Sequence, residues 1–499
     1  MNYSGLLRGV KTLAITCRQW GDTGKGKIVD FFAGWAHIIC RGTGGDNAGH
    51  TVCNEGHELI THLIPSGILY DSEGKINIIG NGVVIYPKSI VKEISQLEAK
   101  KISYNNLHIA YNAKMISPAE IVLDRIRESI AGKAKIGSTG KGIGPTYVDF
   151  YDRQGLLLND LLNPDFFILK LKRHLEYKRT ILKNYDSGLL KTILHDEHLE
   201  SGIYYDPKDI FNLEAIYERY LEYGRILKPL ITDTDAFIRS ALGKSNILAE
   251  GAQGDILSIK YGSYPFVTSS DCTVGGLAEG LGLEKSDIDL SLGIIKGFYM
   301  TRVGRGPFPT ELGGKISDDW CNGGEANREK ELEIYGQVSV NSEDEFTQGV
   351  GLRQAGDEYG ATTKRPRRTG WLDLPLLRYS LSFNKPGIIL TKLDILSDCE
   401  VIKICDKYQY RGPCYCLGSG RVIDFGDYLE VAIPAAEVLE HCQPVYVSFP
   451  GWQKSLSGCS DLLSLPEELK DILEFVIRRT GIKPRILSIG ADRKETIFL

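Results

Sequence analysis

The residues best equipped for chemistry lie in "QWGDTGKGKIVD", positions 19–30. Gly21, Gly26 and Lys27 keep the G-x-x-x-x-G-K spacing of a phosphate-binding loop, with Gly24 and Lys25 between them. In such a loop the backbone N–H groups of a glycine-rich turn entering a helix hold phosphate, and lysine adds charge. Two features depart from that pattern. Ile28 stands where Ser or Thr would hold Mg²⁺, and Asp22 places a carboxylate inside an anion cradle. A carboxylate beside a Mg²⁺–nucleotide serves as a metal ligand, a base or both. Because Ile28 cannot take the metal, Asp22 is the candidate for it.

Other loops carry residues of similar promise. "GTGGDNAGHT" (42–51) offers Asn47 and His50, the latter a proton donor that could come close to phosphate oxygens. "IILTKLD" (388–394) resembles the Asn-Lys-x-Asp loop that reads guanine in GTPases. There a carboxylate at Asp394 accepts hydrogen bonds from the guanine N1–H and 2-amino group. Adenine offers neither donor and would leave a buried acid unpaired. The stem of Lys392 can cover the flat base. "GATTKRPRRTGW" (360–371) concentrates Lys364, Arg365, Arg367 and Arg368. Its flanking glycine and threonines suggest an anion clamp built on guanidinium forks. "GSTGKGIGPTYVDFYDRQG" (137–155) is again rich in Gly and Thr and includes Arg153.

Several of these loops follow short apolar runs: "VKTLAITC" (10–17), "AHIICRG" (36–42), "SNILAEGAQG" (245–254), "PGIIL" (386–390) and "PRILSIG" (484–490). Such runs read as buried parallel strands. Ligands bind beyond the carboxyl ends of such strands, so these loops are expected to share one cleft. Segments 164–185 and 212–227 alternate apolar and charged residues at helical spacing and predict helices with a solvated face. Segment 313–356 is polar and acidic and is expected to be an insertion or mobile loop. The fold class expected is α/β, with a large, mostly parallel central sheet flanked by helices, in a single elaborated domain over 1–499.

Bulk properties narrow the function. The chain has 499 residues and a net charge of −5, so no global field favours nucleic acid or an anionic membrane. No run of about 18 apolar residues occurs, which argues against a membrane span. The first twenty residues carry no pattern of a secretory signal. Eleven scattered cysteines, with only a C-x-C at Cys414 and Cys416, read as reduced thiols in a cytoplasmic setting.

Taken in order, "NAGHT", "HLIPSGIL" (62–69), "IGNGVV" (79–84), "EGAQG" (250–254), "YPFVTSS" (264–270), "FPGW" (449–452) and the loops above resemble the adenylosuccinate synthetase family along almost the whole chain. The resemblance implies a P-loop-like fold with helical and small β subdomains. It also implies a homodimer and a GTP-dependent C–N ligase that uses Mg²⁺ to join L-aspartate to IMP through a 6-phosphoryl intermediate. By matching position, Asp22 and His50 are the implied catalytic pair, and Asp22 with the Gly49 carbonyl the metal ligands. GTP falls to Gly21, Gly24, Lys25, Gly26, Lys27, Arg367, Lys392, Asp394, Ser488 and Gly490. IMP falls to Asn47, Ser138, Thr139, Gln253, Thr268, Arg365 and Arg153, the last reaching the neighbouring subunit. Aspartate falls to Val303, Thr362, Thr363 and Arg365.

The chain departs from the family pattern at Thr23 (usually Glu), Phe150 (usually Lys), Lys364 (usually Gly) and Pro366. Losing a carboxylate beside Asp22 is expected to weaken it as a base if the two acids are close. Two alternatives stand beside the IMP ligase: the same chemistry on another purine nucleotide such as dGMP, and a catalytically weak GTP-binding paralogue.

Overall fold

The structure is a computed structural model that describes residues 5–47, 49–54, 57–132, 135–202, 210–360, 364–383, 387–418 and 420–499. At its centre is a ten-stranded sheet. Its strands in chain order are β1 (Thr12–Cys17), β2 (Ile38–Arg41), β3 (Ile76–Ile79), β4 (Leu107–Ala110) and β5 (Ile231–Thr232), followed by β6 (Ile247–Glu250), β7 (Leu290–Lys296), β8 (Gly387–Thr391), β9 (Pro484–Ser488) and β10 (Thr496–Phe498). Their spatial order is β5-β4-β3-β2-β6-β1-β7-β8-β9-β10. Neighbouring strands run parallel except β9 and β10, which pair antiparallel.

Every residue of β1, β2 and β6 is buried, as continuous apolar runs in a sheet covered on both faces should be. The strands read from sequence are therefore β1, β2, β6, β8 and β9. Only β7 separates them in the sheet, so their carboxyl-end loops lie along one edge. Helix α1 (Lys25–Ala33) leaves the first loop and packs Ile28, Val29 and Phe32 against Leu13, Ile15 and Leu248.

A helical layer lies beyond β4. Helices Pro164–Leu182 and Leu213–Leu227 occupy the segments where helical spacing predicted them. Phe167, Leu171 and Leu175 pack with Ile216, Tyr220 and Leu227 in one apolar cluster, while most charged residues stay outside, His174 and Lys178 excepted. A second, five-stranded sheet joins Tyr299–Arg302, Arg368–Asp373 and Val401–Tyr410 to Tyr428–Leu429 and Cys442–Pro450.

Segment 313–356 differs from the loop expected. It contains helices Gly314–Asn322, Arg328–Tyr335 and Glu345–Gly356. Its interior combines a few apolar residues, Val340, Phe346, Val350 and Leu352, with a paired polar cluster. The buried Glu331 carboxylate accepts from Trp320 Nε1 at 2.7 Å, Arg353 Nε at 2.9 Å and Tyr359 OH at 2.7 Å. A core held by such bonds leaves few apolar residues to betray it in sequence.

Candidate active site

The turn from β1 into α1 uses backbone geometry few residues tolerate. Gly21 and Gly24 have φ of 88° and 74°, and Asp22 itself has φ of 52°. Gly24 caps α1 without a side-chain hydrogen bond, so the first N–H groups of the helix are left for a ligand. Lys25 Nζ donates to the Gln253 carbonyl at 3.0 Å. Lys27 Nζ donates to Ser488 Oγ at 2.8 Å, to the Gly490 carbonyl at 2.7 Å and to the Glu495 carbonyl at 3.1 Å. Lys27 thereby ties the phosphate loop to the end of β9. Burial pushes its pKa down to about 8, against the pull of Glu495 and Asp394.

At the end of β8, Lys392 also adopts a left-handed conformation, with φ of 56°. Burial raises the pKa of the neighbouring Asp394 carboxyl, while Lys392 and Lys27 oppose the rise. Lys392 Nζ is held by the Gly356 carbonyl at 2.8 Å and by Glu358 Oε1 at 2.7 Å. Arg367 lies between two acids. Its Nη1 is 2.9 Å from Glu358 Oε2, and its Nε is 2.8 Å from Asp22 Oδ2.

Asn47 and Gln253 meet where the loops after β2 and β6 converge, with Gln253 Nε2 donating to Asn47 Oδ1 at 3.2 Å. Gln253 too has positive φ, 48°. Lys141 Nζ donates to the Asp46 carbonyl at 2.6 Å and links this corner to the loop at 137–142. A Cβ on Gly137 would lie 3.2 Å from Gly304 Cα, and one on Gly144 would lie 3.2 Å from Ser269 Oγ. Loops carrying Ser138, Val303 and Thr268 are thus neighbours. Ser138 Oγ donates to Asp124 at 2.8 Å. Thr139, Val303 and Arg365 are exposed, and Thr268 is half-buried. Arg153 is exposed just past helix Ile143–Tyr151, with φ of 62°. Thr362, Thr363 and the His50 side chain lie outside the described residues; the backbone of His50 opens a hairpin strand, His50–Asn54.

The glycine-rich loop after β1 and the Lys392 loop after β8 thus share one sheet edge, where Arg367 of the cation-rich loop meets Asp22. The family model for adenylosuccinate synthetase matches residues 14–497. The chain belongs to the adenylosuccinate synthetase family. Adenylosuccinate synthetase of Halothermothrix orenii is 38% identical over 482 residues, which is 96% of each chain. That of Caldicellulosiruptor bescii is 39% identical over 490 residues, 97% of this chain and 98% of that one. A solved structure of fully ligated adenylosuccinate synthetase from Plasmodium falciparum matches with a TM-score of 0.78 at 31% identity, covering 98% of this chain and 100% of that one. Cyanophage S-2L succinoaminodeoxyadenylate synthetase shares the fold, with a TM-score of 0.50 at 18% identity, covering 98% of this chain and 95% of that one.

The departures from the adenylosuccinate synthetase pattern have physical settings. Thr23 is buried, and its carbonyl accepts a hydrogen bond from Thr391 Oγ1 at 2.7 Å. Lys364 has φ of 54°, a conformation open to the family's glycine and costly for lysine, by about 1 kcal/mol. Phe150 lies beneath Lys114, whose Nζ is 4.2 Å from the ring centroid. Pro366 is buried and bridges to Tyr359.

Two places carry oxygen or nitrogen donors of the kind a metal takes. Asp22 has its Oδ2 engaged by Arg367 and offers hard carboxylate oxygens of the kind Mg²⁺ takes. Glu120, Asp149 and His174 also offer converging ligand atoms. There, however, Lys178 Nζ lies 2.5 Å from Asp149 and 3.4 Å from Glu120, so an ammonium already supplies the positive charge.

Sequence reading missed Glu358, Lys296 and Tyr299. All three meet at the site: Glu358 receives Lys296 Nζ at 2.7 Å and the Tyr299 hydroxyl at 2.7 Å. The available signal was Lys296 at the end of "SLGIIK", an apolar run that ends on the same sheet edge.

Proposed function

We propose that this chain ligates L-aspartate to IMP at the expense of GTP, giving adenylosuccinate, GDP and phosphate. The observation that carries this reading is Asp22, held in a left-handed turn of the phosphate loop and paired with Arg367 of the cation-rich loop. A phosphate cradle alone has no need of that acid. A ligase that must deprotonate a purine does.

Asp22 takes the proton from N1 of IMP, and the 6-oxygen attacks the γ-phosphorus of GTP while GDP leaves. The amino group of aspartate then attacks C6, and phosphate departs with the oxygen. Phosphorylation turns a poor leaving group into a good one. His50 acts as the acid beside the transferring phosphoryl group. Asp22 and the Gly49 carbonyl would hold Mg²⁺, which would neutralise phosphate charge.

GTP is assigned to Gly21, Gly24, Lys25, Gly26, Lys27, Arg367, Lys392, Asp394, Ser488 and Gly490, a set supported by the Lys27 bridge from the phosphate loop to Ser488 and Gly490. IMP is assigned to Asn47, Ser138, Thr139, Gln253, Thr268, Arg365 and Arg153, and aspartate to Val303, Thr362, Thr363 and Arg365. Assignment of Arg153 to a second subunit is supported by its helix, which exposes Val148, Phe150 and Tyr151 beside it. A homodimer, one domain over the whole chain and a cytoplasmic setting complete the reading. No helix among the described residues is long and apolar enough to cross a membrane.

The deciding experiment measures phosphate release from GTP with aspartate, Mg²⁺ and either IMP or dGMP. Turnover with IMP is expected. Turnover with dGMP alone would reassign the purine. GTP binding without aspartate-dependent phosphate release would reduce the chain to a nucleotide-binding paralogue.

A further inference from the structure

We propose that Glu358 is a positioning residue for the ligation. It sets Lys392 of the base-reading loop and Arg367 of the cation-rich loop, and through Arg367 it fixes the carboxylate of Asp22. The proposal rests on the ligase reading above.

Glu358 is fully buried, yet it serves four donors from three separate stretches of chain. Its Oε2 receives Lys296 Nζ at 2.7 Å and Arg367 Nη1 at 2.9 Å. Its Oε1 receives Lys392 Nζ at 2.7 Å and the Tyr299 hydroxyl at 2.7 Å. Lys296 is as deeply buried as Glu358 and donates also to Thr301 Oγ1 at 2.5 Å. Lys296 alone would neutralise the acid. Two further cations are more than a buried ion pair needs, and each of them reaches toward solvent. Side-chain exposure rises from 0% at Glu358 through 14% at Arg367 and 26% at Lys392 to 33% at Asp22. The network thus runs from a buried anchor to an open end.

That direction has consequences for each cation. The Lys392 ammonium is drawn inward to Glu358 and to the Gly356 carbonyl, so its aliphatic stem is the part left to lie over a base. Arg367 has Nη1 committed to Glu358 and Nε set against Asp22. Its remaining edge is free to present a fork to an incoming phosphate or carboxylate. The backbone joins the arrangement, because the Arg367 N–H donates to the Glu358 carbonyl at 2.9 Å. Remove the anchoring carboxylate, and Arg367 is free to turn both nitrogens of its fork onto Asp22. The base is then masked, while Lys392 loses the partner that holds it clear of the base.

Glu358→Gln keeps the shape and removes the charge. Steady-state kinetics with GTP, IMP and aspartate should show kcat reduced about 10- to 100-fold, the range seen when a supporting partner of a site residue is lost. KM for GTP should rise several-fold, and the preference for GTP over ATP should narrow about 10-fold. Thermal unfolding reports whether the variant is folded. Because Glu358→Gln leaves buried cations short of an anion, the double variant Glu358→Gln with Lys296→Met is the decisive companion. It removes one charge of each sign from the interior, a change buried pairs tolerate. Impaired turnover and relaxed nucleotide preference in a folded double variant support the proposal. Restored wild-type kinetics in it would make Glu358 merely the partner of Lys296 and overturn the proposal, as would kinetics within twofold of wild type in a folded Glu358→Gln. Absence of ligase activity in the wild-type protein would instead count against the ligase reading, which the same assay detects separately.

Discussion

Two buried carboxylates in this molecule are each surrounded by cations, and the difference between their settings separates a functional cluster from a structural one. Glu120 joins His174 at 2.7 Å and Lys178 at 3.4 Å, with Asp149 against Lys178. Every member is almost completely buried. Burial works against the charge of Glu120, but His174 and Lys178 together hold its carboxyl well below the ordinary range. Glu358 is equally deep, and Lys296, Lys392 and Arg367 overcome its burial in the same way. Yet its outer members reach solvent. The Glu120 cluster is closed and fastens helix Pro118–Ile130 to Pro164–Leu182 and Ile143–Tyr151. The Glu358 cluster is open, and its free edges are what a ligand can use. Buried charge alone therefore says little about function. Whether the charge is passed outward says more.

The sharpest way to break the comparison is at the open end. Asp22→Asn should lower turnover by at least about 1,000-fold while leaving GTP binding largely intact, because the loop and its lysines remain. Phosphate release and equilibrium GTP binding check this, and near-normal turnover would rule out Asp22 as the proton acceptor. The corresponding cut in the closed cluster is Lys178→Met. It strands Asp149, leaves Glu120 with His174 as its cation, and should cost about 3–5 kcal/mol of stability in denaturant unfolding. The nucleotide preference of the protein that remains folded should not change. A shifted preference would mean that the closed cluster also reaches the site.

Asp373 provides a third case, a buried carboxyl held mainly by hydrogen bonds, with Arg378 adding a weaker pull. Burial pushes its pKa up to about 7, against hydrogen bonds from the Tyr408 hydroxyl and the Leu376 N–H. Its folded value lies above the unfolded value, so the folded state keeps a proton that the unfolded chain has released. Stability should therefore fall as pH rises from about 4 to about 7 and level off beyond, by on the order of 4 kcal/mol. Asp373→Asn should flatten that part of the profile in thermal unfolding across the same range. An unchanged slope would show that Asp373 is ionised in the fold. The smallest effect is expected at the rim of the open cluster. Asp394→Asn should reduce the preference for GTP over ATP by about 10- to 100-fold, since it removes the acceptor of two guanine hydrogen bonds. Competition between the two nucleotides measures it, and an unaltered ratio would remove Asp394 as the guanine reader.

Much of this molecule could be read in its sequence. The apolar runs became strands β1, β2, β6, β8 and β9, and the amphipathic segments at 164–185 and 212–227 became helices. Both signals are local, being the consequence of covering a sheet on two faces and a helix on one. Segment 313–356 was misleading because Glu331 and its polar partners share its interior with only a few apolar residues, such as Phe346, Val350 and Leu352. Glu358 was unreadable for a related reason. An acid at the start of a cation-rich loop looks like a solvated charge, and nothing nearby in sequence shows that Lys296 and Lys392 will bury it.

The sequence by itself determined the family, and it singled out the glycine-rich loop with Asp22 and the loop with Lys392 and Asp394 as candidates for binding. Those depend on residue types at short spacing, where backbone geometry does the rest. Only the tertiary structure decided that Arg367 faces Asp22, that Gln253 meets Asn47 and that Lys27 reaches Ser488. Such contacts join residues hundreds of positions apart. They form because parallel strands deliver distant loops to one edge of the sheet, where the geometry of the whole layer selects which side chains meet.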